Sequence, residues 1–324
     1  MPQKQKVKKI SSITVADFLE RHSDELNLTL IGGEHGLDRP IHEPTINRPG
    51  LALAGYFTYF AWKRIQVFGH CEISYLRKLT ERMRAGRFNK LCEQNIPCLV
   101  LARDHKLPDD LAELAKQQQI PVLGTKMVTM NFLNAATFNL ENDFAPSTNL
   151  HGYMVDIRGV GVLITGKSGS GKSETAIGLL ERGAALVADD LVQVRLVGGE
   201  LITSAPELSR GYLEMRGIGI INAANLFGLA SIRPEKRLDL VITLKPHADL
   251  NSVDRLGLQQ KSYKVLDHPV AHVEIPIAPG RDTARMVAVA SLDHQLRQLG
   301  YNMADEFNQR LLAKMADQKQ PPTL

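Results

Sequence analysis

Apolar positions fall into strand-length runs separated by stretches of helical spacing. Val15 to Arg21 predicts a short helix, and Leu28 to Gly32 reads as a strand. Pro97 to Arg103 (PCLVLAR) is an apolar run of strand length. Leu107 to Gln119 sets Leu111, Leu114 and Ala115 on one helical face, and Ile120 to Gly124 reads as a buried strand. Strand, helix, strand at these spacings predicts a βαβ unit. Gly32, Gly33 and Gly36 lack a complete nucleotide fingerprint around them, so a structural turn is expected there. Residues 139–150 (NLENDFAPSTNL) are polar, with a proline and a Ser-Thr pair, a composition that suits a linker. The boundary placed there divides the chain into an N-terminal α/β domain, 1–140, and a C-terminal domain, 141–324.

In the second part, Gly159 to Thr165 (GVGVLIT) predicts a strand, followed by a glycine-rich loop and a helix from about Lys172 to Arg182, which Gly183 is placed to end. Leu186 to Ala188 is a short apolar strand running into Asp189 and Asp190. Val192 to Val197 continues as a strand. Gly198-Gly199 signals a hairpin that returns through Leu201 to Thr203. Helices near Ser291 to Leu299 and Ala304 to Ala316 close the domain, and the tail from Gln318 to Leu324 reads as disordered.

Composition changes this picture little. The chain has 324 residues, a hydrophobic share of 44% and a charged share of 23%, ordinary for a globular protein with a sizeable core. The net charge of +4 comes from scattered basic residues, which argues against nucleic acid as a partner. The three cysteines, Cys71, Cys92 and Cys98, lack metal-ligand spacing and read as free thiols in a reducing compartment. Met1 to Ser12 is basic and polar with no apolar stretch after it, and no apolar run is long enough to cross a bilayer. A cytoplasmic location without membrane contact is expected.

Chemistry enters at Gly166-Lys167-Ser168-Gly169-Ser170-Gly171-Lys172-Ser173, the full pattern G-x-x-x-x-G-K-S between an apolar strand and a helix. Glycines let consecutive N–H groups turn inward around phosphates, and the helix N-terminus adds its positive dipole end. Lys172 can reach the β- and γ-phosphates of ATP, and the Ser173 hydroxyl can ligate Mg2+. A glycine-rich turn beside a helix is the bland alternative, which the complete pattern disfavours. One of Asp189 and Asp190 could orient the metal, and their mutual repulsion suits one of them to act as a base. The acidic strand follows the loop by a single helix and runs straight into a hairpin, which sets this apart from nucleotide-switch and adenylate-kinase plans.

Other candidates are weaker by pattern. Leu213, Glu214, Met215, Arg216, Gly217, Ile218, Gly219, Ile220, Ile221 and Asn222 place a carboxylate and a guanidinium two apart. These share one side if the segment is extended, and the glycines permit close backbone approach to a ligand. A Gly-containing strand with solvated charges fits as well. His151 reads equally as a structural or solvated histidine, and Arg255 as a surface charge. Pro276, Ile277, Ala278, Pro279, Gly280 and Arg281 form either a rigid loop or a set of phosphate contacts.

Taken together, these segments resemble the HPr kinase/phosphorylase family. The likeness is densest from His151 to Leu312 and includes HGYMVDIRGVGVLITG, GKSETAIGLLERG, LVADD, YLEMRGIGIIN, EKRLDL, DRLGL, PIAPGRD and GYNMADEFNQRL. The resemblance implies a C-terminal P-loop kinase domain related to the nucleotide-binding core of phosphoenolpyruvate carboxykinase, and a homohexamer. It implies phosphorylation of a serine on HPr, the phosphocarrier of the bacterial sugar phosphotransferase system. The reverse reaction uses inorganic phosphate and releases pyrophosphate. Asp190 is then similar to the family's base, and His151 to the histidine that supports the acidic pair. Lys172 and Arg255 match the phosphate-site charges, and Ser173 and Glu214 the Mg2+ ligands. Leu213 to Asn222 matches the segment used in both directions, and Pro276 to Arg281 the loop tied to dephosphorylation. Lys167 stands where many members carry an acid, and Ala278 where many carry an arginine. A small-molecule P-loop kinase is the competing enzyme reading. A regulatory nucleotide-binding module is the competing reading from another class, but it would be expected to have lost the base.

Overall fold

The computed structural model describes residues 6–215, 217–246, 261–278 and 280–317. Arg216, Arg255, Pro279 and the tail from Gln318 lie outside the described residues. The chain divides into two compact units, Lys9–Ala145 and Pro146–Leu324, with Met1–Lys8 belonging to the second.

The first unit is built on a five-stranded sheet in the order Leu28–Gly32, Val122–Thr125, Leu99–Leu101, Ile65–Phe68, Ile46–Asn47. Its last four strands run parallel. Every residue of the three strands between the edges is buried, the mark of a sheet covered on both faces. On one face Val67, Val100 and Leu123 pack with Phe18 of helix Val15–Leu26 and Phe132 of helix Thr129–Phe144. On the other, Phe68, Leu99 and Val122 pack with Leu76, Leu91 and Leu111 from helices His70–Lys78, Glu81–Cys92 and Asp109–Gln117. The strand–helix–strand unit expected around Leu107 to Gln119 is present, with a parallel pair on either side of its helix.

The expected linker is not. Residues 139–144 are the last turns of helix Thr129–Phe144, and strand Ser147–His151 starts three residues after it ends. The polar side chains that suggested a linker are used in packing. Asn139 is buried and donates to Glu25 Oε2 at 3.1 Å, and Asp143 accepts from His22 and Arg21.

The second unit has three layers. A six-stranded sheet in the order Ala185–Ala188, Tyr153–Ile157, Val160–Gly166, Leu240–Pro246, His268–Ile277, Lys261–Val265 lies between helices and a second sheet. Strand alternation explains the layering. Val155, Val162, Ile164 and Ile242 face helices Lys172–Leu180 and Thr283–Gln298 through Ala176, Leu179 and Val287. Met154, Leu163 and Val241 face the other way, against Val192, Val194 and Leu201. Those three belong to an antiparallel sheet of Glu235–Arg237, Glu200–Ser204, Leu191–Val197 and Ser147–His151. Each fully buried aliphatic side chain contributes about 1.5–3 kcal/mol. The hairpin at Gly198-Gly199 forms as expected, both glycines with positive φ.

Strand Leu240–Pro246 pairs in parallel with Val160–Gly166 on one side and His268–Ile277 on the other. Gly166, Leu244 and Ile275 therefore stand in one row at the carboxyl end of the sheet. The carboxyl end of the strands is the usual place for ligands in an open α/β sheet.

Candidate active site

The loop from Gly166 to Gly171 leaves the sheet's carboxyl end and enters the helix at Lys172. Gly171 caps that helix with φ +79°, a conformation that disfavours any side chain. A Cβ on Gly166 would lie 2.6 Å from Ser170 Oγ and 2.9 Å from the Leu244 carbonyl, so the loop closes tightly on its neighbour strand. Lys172 Nζ donates to the carbonyls of Gly166 and Lys167, each at 3.1 Å, which curls the ammonium back over the loop. Ser170 Oγ is buried and has no hydrogen-bond partner among the described residues. Lys167, Ser168 and Gly169 are exposed along the loop's outer edge.

Beside this loop the sheet places the acidic pair. Asp189 follows strand Ala185–Ala188, and Asp190 stands at φ +56°, left-handed for a non-glycine residue. That turn lets the Leu191 N–H donate to the Asp189 carbonyl at 2.6 Å and sends the chain into the next sheet. The two carboxylates part company. Asp189 is half-buried, with Oδ2 accepting the Glu214 N–H at 2.6 Å, whereas the Asp190 side chain is 87% exposed. Asp190 Oδ1 stands 3.9 Å from His151 Nδ1, and their strands pair at Leu191 opposite His151.

The expected electrostatics need a correction of cause. The Asp189 carboxyl is raised above its ordinary range mainly by burial. The Glu214 amide and the Tyr153 hydroxyl oppose that rise, and repulsion from Asp190 is a smaller contributor to it. Tyr153 itself was not singled out by the sequence; it opens strand Tyr153–Ile157 and is buried. Its hydroxyl bonds Ser173 Oγ at 2.6 Å, and burial holds the phenol well above its ordinary value, with Asp189 and Asp190 adding to the rise.

The segment Leu213 to Asn222 is not one extended stretch. It is a hairpin of strands Tyr212–Met215 and Gly219–Asn222, with Glu214 opposite Ile220. Gly217 (φ +86°) and Gly219 (φ +105°) serve the turn, and a Cβ on either would meet no atom within 4 Å. Both take the positive φ that the turn requires, which a side chain would strain. Leu213 is buried, while Glu214, Ile218 and Ile220 are exposed and Met215, Ile221 and Asn222 are half-buried. Pro276 and Ile277 end strand His268–Ile277, one and two residues past the Gly166 row. Ala278 accepts from the Arg281 N–H at 3.2 Å around Gly280, and Arg281 is exposed. Asp282 then caps helix Thr283–Gln298.

Among the described residues no group of three or more His, Cys, Asp or Glu side chains could hold a metal ion. A metal caged by protein alone is therefore not what these residues fit. Mg2+ is usually held by one or two carboxylates and completes its shell with substrate phosphates and water. Asp189 Oδ1, buried and without a hydrogen bond among the described residues, together with Ser173 Oγ and the exposed Glu214 carboxylate, fits that donor set. Among the described residues no helix is long and apolar enough to cross a membrane.

Residues 13–140 match the HPr Serine kinase N terminus, and residues 142–311 match the HPr Serine kinase C-terminal domain. The HPr kinase/phosphorylase of Bacillus licheniformis is 42% identical over 295 residues, 91% of this chain and 95% of that protein. That of Bacillus subtilis is 41% identical over 298 residues, covering 92% and 96%. The solved HPr(Ser) kinase/phosphatase from Coxiella burnetii is 32% identical, covering 49% of this chain and 97% of that one with a TM-score of 0.46. With both halves of the chain matched and the relatives aligned over nearly their full length, this two-domain α/β protein is an enzyme of the HPr kinase/phosphorylase family.

Proposed function

We propose that this chain phosphorylates a serine of HPr with ATP and Mg2+, and reverses the reaction with inorganic phosphate, releasing pyrophosphate. One observation carries the reading. In a chain of this family, Ser173 at the end of the glycine-rich loop bonds Tyr153 at 2.6 Å, and Asp189 of the acidic pair accepts the backbone N–H of Glu214 in the hairpin at 2.6 Å. The boundary near residue 140 assigns the reaction to the second domain. We read that domain as a P-loop kinase fold related to the core of phosphoenolpyruvate carboxykinase, assembled as a homohexamer in the cytoplasm.

The family resemblance and the positions described above support these roles, Arg255's resting on the resemblance alone. Loop amides from Gly166 to Gly171 and the dipole of helix Lys172–Leu180 hold the nucleotide phosphates. Lys172 exchanges the loop carbonyls for the transferring phosphoryl group, and Arg255 adds charge there. Asp190, exposed, takes the proton from the HPr serine as its oxygen bonds to phosphorus, and His151 steadies the charge that Asp190 gains or loses. In reverse, a phosphate oxygen forms the new P–O bond, the serine P–O bond breaks, and Asp190 returns the proton to the serine. Mg2+, held by Ser173 and Glu214, neutralises phosphate charge when bound. Hairpin Leu213 to Asn222 serves both directions, and Pro276 to Arg281 serves the phosphate that attacks in reverse.

The test is incubation with purified HPr, Mg2+ and ATP, followed by added phosphate. Phosphoseryl-HPr should form and then disappear as pyrophosphate appears. ATP turnover on a metabolite with HPr untouched would replace this reading with that of a small-molecule kinase.

A further inference from the structure

The hairpin of strands Tyr212–Met215 and Gly219–Asn222 has a core face and an open face. Leu213 and Ile221 turn into the core of the second unit. The alternate positions Tyr212, Glu214 and Ile220 are exposed. On strands with one face in water these positions are ordinarily polar, yet Ile220 is 77% exposed. Ile218 is 69% exposed at the turn, where its N–H donates to the Met215 carbonyl at 3.1 Å. A Cβ on Gly217 or Gly219 would meet no atom within 4 Å, so this tip is open. The segments entering and leaving the hairpin add Leu208, Leu226 and Leu229, all exposed. One exposed apolar side chain needs no account, but neighbouring ones on one hairpin form a patch, and patches mark surfaces that another molecule covers.

The patch adjoins the acidic pair. The Glu214 N–H is given to Asp189 Oδ2 and not to the partner strand, so Glu214 and Ile220 stand opposite each other without exchanging ladder hydrogen bonds. The Cα atoms of such a pair lie about 4.5 Å apart, with the side chains at their closest. From Glu214 the 2.6 Å bond leads to Asp189, and one peptide leads on to Asp190. The Cα of Ile220 is therefore within about 15 Å of that of Asp190. A standard protein interface covers about 800 Å² on each partner, a disc of about 16 Å radius. A folded protein centred on a serine that meets Asp190 thus covers Ile220. We propose that the open face of this hairpin, carried by Tyr212, Ile218 and Ile220, is a docking surface for HPr, and that it takes an apolar face of HPr bordering the target serine. A neutral surface binds by burial and not by charge, so it holds the serine and phosphoserine forms alike. The inference rests on the reading of Asp190 as the group that meets the HPr serine.

The test is HPr binding by calorimetry on the full chain, with Mg2+ and a non-hydrolysable ATP analogue present so that turnover plays no part. Ile218→Thr and Ile220→Thr keep the β-branched shape and make the surface polar. Each should weaken HPr binding about tenfold, the worth of one buried aliphatic side chain. Phosphoseryl-HPr, measured without nucleotide, should weaken by the same factor. Ile220→Val stays apolar and should hold HPr within about fourfold of the parent, the worth of one methylene. Thermal unfolding checks that the fold is intact, and affinity for the ATP analogue is measured on the same preparations. A matching loss of affinity for the analogue would make the hairpin a support of the phosphate loop and overturn the docking role. Changed sedimentation with HPr affinity kept would show that a second copy of the chain covers the patch, and would overturn it too. If the parent phosphorylates HPr and the threonine variants bind it as tightly as the parent does, the docking surface alone is refuted. If the parent leaves HPr untouched, the proposed function fails and the docking surface goes with it.

Discussion

Replacing Asp190 with asparagine separates proton transfer from everything else this region does. The choice of residue matters. Asp190 sits at φ +56°, and asparagine tolerates that conformation as aspartate does. Alanine would add about 1–2 kcal/mol of backbone strain there and confuse the result. The side chain is 87% exposed, and its ion pair with His151 is long at 3.9 Å. An exposed pair of that kind is worth about 0–1 kcal/mol, so folding stability should move by no more than about 1 kcal/mol. The effect on rate is of another size. A positioned base contributes about 10²–10⁴-fold, or about 2.7–5.5 kcal/mol of transition-state free energy. The assay is the initial rate of phosphoryl transfer from ATP to HPr at saturating substrates, with ATP affinity measured by calorimetry on the same preparation. The expected result is a rate lowered by that factor with ATP affinity unchanged. A rate within threefold of the parent would place the base elsewhere. Loss of ATP affinity together with rate would make Asp190 a cation ligand.

Lys172→Ala should abolish both directions, since the same ammonium meets the phosphoryl group whichever way it travels; a kinase rate near the parent's would remove the loop from the reaction. Glu214→Ala and Ser173→Ala should each raise the Mg2+ concentration needed for half-maximal activity, and a superimposable Mg2+ titration would count against the ligand concerned. Ala278→Arg should lower the phosphate concentration needed for half-maximal dephosphorylation while leaving the kinase rate nearly unchanged. A guanidinium helps one anion approach another, and a neutral serine needs it less; equal changes in both directions would refute this. Asp189 supplies a pH test. Its carboxyl is raised in the folded chain, chiefly by burial, so the native state holds the proton more tightly than the unfolded one. Stability therefore falls as pH rises from the ordinary carboxylate range through the folded value. Asp189→Asn, neutral throughout, should melt higher than the parent at pH 7, with the gap closing below about pH 4. Parallel melting curves across that range would contradict the burial argument.

The loop and its flanks were legible because their chemistry is local. Val160–Gly166 is an apolar run, Gly171 must turn with positive φ, and Lys172 opens a helix, all within one short segment. The hairpin at Gly198-Gly199 was legible for the same reason. What escaped depends on partners distant in sequence. Residues 139–144 look like a linker because Asn139 and Asp143 are polar, but Glu25, Arg21 and His22 use that polarity more than a hundred positions away. Leu213 to Asn222 shows two glycines and no turn dipeptide, so nothing in the segment announces that it folds back on itself. Tyr153 carries no signal at all. An aromatic residue on a strand buried throughout looks the same whether its hydroxyl is idle or meets Ser173.

Strand Leu240–Pro246 contributes no candidate reacting group, yet it is the ruler of the site. The glycine-rich loop on one side and the Pro276 to Arg281 loop on the other take their heights from its register, through Gly166 opposite Leu244 and Leu244 opposite Ile275. A strand cannot slide by a fraction of a residue. The smallest slip is one step of about 3.3 Å, and it turns every side chain to the opposite layer. With Val241 packed toward one layer and Ile242 toward the other, such a slip would invert both contacts. The spacing between the two loops is thus quantised. Drift in sequence can soften or stiffen this end of the molecule, but it cannot gradually retune the distance between these two loops.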